Sequence, residues 1–240
     1  MKVSIITSTY NRKNFLEECI KSVQSLKCEP LDIEIEHIVY DDASTDGTDE
    51  LFTSNKYSNT TYIRGESNKG PAEGRNIAIK KATGDYIFVL DSDDIILQRT
   101  IHNFVSVAIE NPTTDWFISG FLRVDEKLTY SIGNDYYGWR FSSIENMLDS
   151  VFKGEHFIQH NVFFKKELFT KVGGYNSEMR MAEDLDLFVR FLLNKSMPKN
   201  IDSISHLHRI HGGNLSAGKD LESHKKDAQI IYSRYKQLEK

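Results

Sequence analysis

The chain opens with a short apolar run, Val3 to Thr7, and then changes period, with Phe15, Leu16, Cys19, Ile20, Val23 and Leu26 recurring at helical spacing. The pattern predicts a buried strand, a loop and an amphipathic helix. A second strand over Ile33 to Tyr40 runs into DDASTDGT, whose Asp, Ser, Thr and Gly mark a loop. Tyr62 to Arg64 gives a short third strand. Pro71 suits the first turn of a helix with Ile77, Ala78 and Ala82 on its apolar face, and Gly84 fits its C-terminal cap. A fourth strand, Tyr86 to Leu90, leads straight into DSDD. Leu97, Ile101, Phe104, Val105 and Ala108 then mark a helix stopped near Asn111 and Pro112. Repeated strand, loop and helix units predict an α/β fold with a mostly parallel sheet covered on both faces. In such sheets ligands gather beyond the carboxyl ends of the strands, where these polar clusters fall.

Past Asp115 the pattern loosens. Trp116 to Leu122 reads as a strand, residues 129 to 142 are rich in Tyr, Gly and Trp, and Ile144 to Phe152 reads as a short helix. Val162 to Phe164 is a further strand, Leu185 to Leu193 a helix, Ile201 to Ile210 a mostly polar strand and residues 219 to 239 a charged terminal helix. With 240 residues, 39% of them hydrophobic and 27% charged, the chain has the material for one domain in two lobes. A net charge of -5 offers no general attraction for a polyanion, which argues against nucleic acid as a partner. No apolar stretch approaches the roughly 20 residues of a membrane-spanning helix. No export signal is visible at the N-terminus, so a cytoplasmic location is expected. The two cysteines, Cys19 and Cys28, suit a reducing compartment better than a disulfide framework.

The chemistry concentrates in VLDSDD. Asp91 and Asp93 leave a buried strand together and can converge through carboxylate oxygens on one hard divalent cation. An isolated D-x-D is more often a solvated acidic turn. At the ligand edge of a sheet, with no local basic partner, its negative charge calls for a metal. The same string also fits the nucleophile loop of a haloacid-dehalogenase phosphatase, although that loop is usually N-terminal and carries Thr or Val where this chain has Asp94. Asp42, Ser44, Asp46 and Gly47 resemble the start of a calcium loop, yet the twelfth position is Thr53 rather than Glu. Asp46 and Gly47 suit an Asx-turn, whereas Asp42, which leaves the strand first, is a binding candidate.

Five segments in order, SIITSTYNR, YDDASTDGT, NKGPAEGRNIAIKKATGDYIFVLDSDD, VGGYNSEMRMAEDLDLFVRF and HRIHGGNLS, span most of residues 3 to 216. Together they resemble the inverting glycosyltransferases of family 2. The resemblance implies the GT-A fold, with a nucleotide-sugar-binding half over about residues 1–112, an acceptor half over about 113–218 and an appended helix over 219–240. It implies a nucleotide diphosphate sugar donor, UDP-linked first, a saccharide, lipid-linked or protein acceptor, and Mn2+ or Mg2+ as cofactor. Residue by residue it puts Ser8, Tyr10 and Asp42 around the base and ribose and Arg75 near the diphosphate. Asp91 and Ser92 would sit at the nucleotide sugar, Asp91 reaching the ribose or the metal, with Asp93 on the metal itself. His211, with His206 and His208 close by, would complete the metal site. Asp184 of AEDLDLFVR is the implied general base, on a helix anchored by Leu185, Phe188 and Leu192, while Asp186 reads as a favourable acid at a helix N-terminus. Ser8 stands where the family often has Pro, and Glu73 and Gly74 where a small residue and Ala are frequent. Neither change removes a group the reaction needs.

The implied reaction is a single displacement at the anomeric carbon with inversion. Asp184 takes the acceptor proton while the metal and Arg75 stabilise the departing diphosphate. Against it stand the phosphatase and, from another class, a nucleotide-sugar-binding module that has lost catalysis; intact Asp93 and Asp184 argue against that loss. The terminal helix carries Leu221, Ala228, Ile231, Tyr235 and Leu238 among Lys225, Lys226, Arg234 and Lys236. It either packs on its own domain or docks onto a partner subunit or an anionic membrane.

Overall fold

In chain order the elements are β1 (Lys2–Thr9), α1 (Lys13–Gln24), β2 (Glu34–Asp41), β3 (Thr60–Arg64), α2 (Pro71–Lys81), β4 (Tyr86–Val89), β5 (Ile95–Ile96) and α3 (Thr100–Glu110). They continue with β6 (Trp116–Val124), β7 (Tyr130–Tyr136), α4 (Ile144–Phe152), β8 (Phe163–Lys165), α5 (Lys166–Lys171), α6 (Glu183–Leu193), β9 (Lys199–Arg209) and α7 (Leu221–Leu238). This computed structural model describes every residue except 54, 58, 137–139, 153–160, 180, 215–220 and 239–240. Within the motifs quoted above, Arg180, Leu215 and Ser216 therefore lie outside the described residues.

The run Tyr86 to Leu90 shows how continuous apolar sequence is shared between two faces, because successive strand side chains point opposite ways. Tyr86, Phe88 and Leu90 join Val3 and Ile5 on one face, under Cys19 and Val23 of α1 and Ile101, Phe104 and Val105 of α3. Ile87 and Val89 join Ile6 and Ile38 on the other, under Ala78 and Ile79 of α2 and Phe188 and Phe191 of α6. The strands lie in the order β3-β2-β1-β4-β8-β6-β9-β5, with β7 paired to β6. From β3 to β4 every pairing is parallel. Beyond it β8 runs antiparallel to both β4 and β6, β9 is parallel to β6, and β5 is antiparallel to β9. The expected α/β sheet with helices on both faces is therefore present, and its antiparallel partners all pair with strands of the second half.

Pro71 opens α2 as expected, following Gly70 at φ 90°. Gly84 does not cap that helix. The helix ends at Ala82 with extended backbone, and a Cβ at Gly84 would lie 2.5 Å from Ser4 Oγ and 2.7 Å from the Ser4 nitrogen. Gly84 instead lets the chain pass close against β1, where its N–H donates to Ser4 Oγ at 2.9 Å. Strand β5, only two residues long, and helix α5 carry too little periodicity to be read in advance. The last helix packs on its own domain. Ile231 and Tyr235 are buried, Phe152 of α4 stacks on Tyr235, and Asp227 accepts the Met181 N–H at 3.0 Å. The side chains of Leu221, Lys225, Lys236 and Leu238 lie outside the described residues. Among the described residues no helix is long and apolar enough to cross a membrane.

Candidate active site

Strands β1, β2 and β4 end together at one edge, and the polar segments singled out above follow them. Ser8, half-buried near the end of β1, faces α2 across Gly74. A Cβ at Gly74 would come within 2.5 Å of Ser8 Oγ and 2.8 Å of Tyr40 Cδ1, so glycine is what seats α2 this closely. Tyr10, just past β1, is 45% exposed. Strand β2 ends in two buried carboxylates. Asp41 accepts hydrogen bonds from the Ser44 N–H at 2.8 Å, the Tyr62 hydroxyl at 2.6 Å and Arg64 at 3.2 Å. Asp42 accepts from the backbone N–H groups of Lys69 at 2.9 Å and Gly70 at 2.8 Å. Its carboxylate thus anchors the approach to α2, a task its position in the sequence does not reveal. Asp46 forms the expected Asx-turn, accepting from Thr48 N–H at 3.1 Å and hydroxyl at 2.6 Å, with Gly47 at φ 80°. It also accepts the Lys13 N–H at 2.9 Å, in the first turn of α1.

Arg75 is not a surface salt bridge. It is buried on α2, donating to Asp91 Oδ1 at 2.8 Å and to Glu183 Oε1 at 2.6 Å, with its guanidinium 5.6 Å from the Tyr175 ring centroid. Burial works against its charge, but the two carboxylates outweigh it and hold the guanidinium pKa above its usual value. One residue thus joins the D-x-D loop to the first turn of α6. Ser92 is buried within that loop. Asp184, next to Glu183, is half-buried. Asp186 is more than an acid near a helix dipole. It is buried, its Oδ2 accepts from both Arg190 Nε at 2.9 Å and Nη2 at 2.6 Å, and Arg234 of α7 lies 3.6 Å from Oδ1.

Asp93 and His211, 118 residues apart, meet: His211 Nε2 lies 2.9 Å from Asp93 Oδ2. Gly213 donates its N–H to His211 Nδ1 at 3.1 Å, which assigns the proton of a neutral ring to Nε2. The ring rests against Phe15 at 4.6 Å between centroids, and Arg12 Nε is 3.7 Å from the same Asp93 oxygen. Asp91 does not join them, because its carboxylate is turned to Arg75. Among the described residues no group of three His, Cys, Asp or Glu side chains is arranged to hold a metal ion. The pair nevertheless fits two adjacent positions of a divalent cation. Ligands at about 2.1 Å and a right angle stand about 3 Å apart, and a carboxylate with an imidazole suits Mn2+. Were Nε2 to hold a cation, the ring proton would sit on Nδ1 and the Gly213 N–H would need another acceptor.

Sequence reading missed Glu183 as the partner of Arg75, Arg12 beside Asp93, and Asn161. It also left Asp94 without a role, although Asp94 directly follows the D-x-D. Asp94 is completely buried, and burial raises its carboxyl pKa.

Residues 4–173 match the family model for glycosyl transferase family 2, and the chain belongs to that family. An uncharacterized glycosyltransferase of Haemophilus influenzae is 27% identical over 237 residues, covering 97% of this chain and 76% of that protein. The glucosyltransferase WfaP of Escherichia coli, described as using UDP-Glc and α-D-GlcNAc-diphosphoundecaprenol, is 27% identical over 226 residues, covering 90% of this chain and 80% of that protein. Among solved structures, S. aureus TarS 1–349 with UDP-GlcNAc superposes with a TM-score of 0.76 at 22% identity, over 97% of this chain and 66% of that one. Mannosyltransferase PcManGT of Pyrobaculum calidifontis, with GDP-Man and Mn2+, gives 0.68 at 18% identity over 98% of this chain and 64% of that one. This chain spans just under two thirds of each of these two structures, and both likenesses show the fold, GT-A.

Proposed function

We propose that this chain transfers a sugar from a nucleoside diphosphate sugar, a UDP-sugar foremost, to a hydroxyl acceptor with inversion at the anomeric carbon. The observation that carries the proposal is the double contact of Arg75, which draws the D-x-D loop and the first turn of α6 to one point. It supports a carboxylate of the second half, Asp184, facing a donor bound at the strand edge. Residues 1–112 form the donor half in this reading and 113–218 the acceptor half. Ser8 and the exposed Tyr10 meet the ribose and base, while Asp42 holds the approach to α2.

Asp184 takes the proton from the acceptor hydroxyl as the bond to the anomeric carbon forms and the bond to the diphosphate breaks. Arg75 acts by fixing the distance between the D-x-D loop and the first turn of α6, through one bond from each Nη. A divalent ion, Mn2+ or Mg2+, held by Asp93 and His211 would supply Lewis-acid stabilisation of the departing diphosphate. TarS with UDP-GlcNAc and PcManGT with Mn2+ support these assignments by analogy of fold. The lipid-linked acceptor of WfaP supports a lipid-linked saccharide as the acceptor, reached by a cytoplasmic protein in peripheral contact with the membrane. Family membership sets the phosphatase reading aside. Calorimetric titration with UDP and GDP, each with and without Mn2+, tests the proposal. Mn2+ should tighten UDP binding in the parent and not in Asp93→Ala. Equal Mn2+-dependent binding by the two would remove Asp93 from the site.

A further inference from the structure

A buried carboxylate is costly unless its oxygens are satisfied, and a hydrophobic residue would fill the same space at less cost. Asp94 is such a carboxylate, and its contacts are specific. Its Oδ1 accepts the backbone N–H of Arg209 at 2.9 Å, and its Oδ2 accepts Asn161 Nδ2 at 2.9 Å. His208 Nδ1 lies 3.4 Å from Oδ1. Asn161, itself buried, turns its other amide atom to the same loop, where Oδ1 accepts the Asp91 N–H at 3.3 Å. The Asp94 N–H closes the turn onto the Asp91 carbonyl at 3.1 Å. Asp94 therefore follows Asp93 by one residue and grips β9 two residues before His211. Asn161 spans the loop from one end to the other.

We propose that Asp94 and Asn161 are positioning residues, a buried pair that holds Asp93 and His211 at the separation one divalent cation requires. The pair touches no metal. It joins the end of β4 to the end of β9 across the entry to β8, so the affinity of the site is set by the register between these elements as well as by its ligands. Outer contacts that orient metal ligands typically account for about 10- to 100-fold in metal affinity. The proposal rests on the metal-site reading given above.

The hydrogen-bond pattern supplies its own test. Asp94→Asn keeps the shape but turns an amide donor either toward Asn161 Nδ2 or toward the Arg209 N–H, so one contact is lost. Adding Asn161→Asp restores a donor facing an acceptor at every position of the pair. Mn2+ is titrated calorimetrically into each variant with UDP saturating, and thermal unfolding without metal verifies that each is folded. Asp94→Asn and Asn161→Ala should each weaken Mn2+ by about 10- to 100-fold. The double exchange should recover most of that loss. Parental Mn2+ affinity in Asp94→Asn, or a loss that the folded double variant does not recover, overturns the proposal. Should Asp94→Asn fail to fold, parental affinity in Asn161→Ala overturns it equally. Asp93→Ala separates the two levels: if it too binds Mn2+ like the parent, the metal site itself is misassigned. If Asp93→Ala alone loses the ion, only the positioning pair fails.

Discussion

In the first half of the chain the polar side chains at the sheet edge are held largely by backbone. Asp42 is held by Lys69 and Gly70, Asp46 by Lys13 and Thr48, and Asn11 Oδ1 by the Thr45 N–H, while Asp41 divides its contacts between the Ser44 N–H and the side chains of Tyr62 and Arg64. In the second half two charged groups at the site are held by side chains arriving from elsewhere, Glu183 by Arg75 and His211 by Asp93, while Asp186 is held within its own helix by Arg190. The first arrangement is a frame that shapes itself from its own loops. The second is assembled only when segments far apart in sequence meet, which makes the placement of Glu183 a property of that junction. Damage to the frame should therefore lower stability and nucleotide binding together. Loss of a reacting group in the second half should lower the rate and spare binding.

The largest effect is expected at the junction. Arg75→Met removes the cation that Asp91 and the buried Glu183 both face, and breaking a buried pair from one side costs about 3–5 kcal/mol. Chemical denaturation should show that loss, with part of it recovered by adding Glu183→Gln. A change below about 1 kcal/mol would mean that the halves are joined by something else. A smaller loss is expected in the frame. Asp42→Ala orphans the N–H groups of Lys69 and Gly70, at about 1–3 kcal/mol, and should weaken UDP at the same time. Weaker UDP binding at parental stability would return Asp42 to the role of a direct nucleotide ligand.

The effect that vanishes at neutral pH concerns His37, buried in β2 beside Thr7, whose pKa burial lowers to about 3. Its Nδ1 has no hydrogen-bond partner among the described residues. The unfolded chain takes up a proton near the ordinary value of 6.5, which the folded chain refuses until about 3. This contribution to stability is thus complete above pH 6.5 and is lost as pH falls toward 3, with a slope of at most about 1.4 kcal/mol per pH unit. His37→Asn should flatten the fall in denaturant midpoint between pH 6.5 and 4. An unchanged slope would assign the acid sensitivity to other groups.

Features written in neighbouring residues were legible before any coordinates. The run Tyr86 to Leu90 marks a two-sided strand, Pro71 marks the start of α2, and Asp46 with Gly47 marks a turn. The meeting of Asp93 with His211 followed from the family resemblance and not from periodicity. What stayed hidden depends on partners far along the chain. Arg75 pairs with carboxylates 16 and 108 residues away, partners that neither its neighbours in sequence nor the family resemblance revealed. Gly84 looked like a helix cap because its crowding comes from Ser4, 80 residues earlier. Asp94 gave no signal because a buried carboxylate is recognised by its surroundings and not by its neighbours in sequence.

The division of labour between the halves is tested most directly by Asp184→Asn, with turnover and UDP affinity measured on the same preparation. The substitution keeps the size and removes the charge that accepts the proton. A general base acts on the acceptor hydroxyl and interacts most strongly in the transition state. The account predicts that kcat falls by about 10²- to 10⁴-fold while UDP affinity stays within a few-fold of the parent. Near-parental turnover would pass the role of base to another carboxylate, Glu183 first. Loss of UDP binding would place Asp184 in the donor site and contradict the division itself.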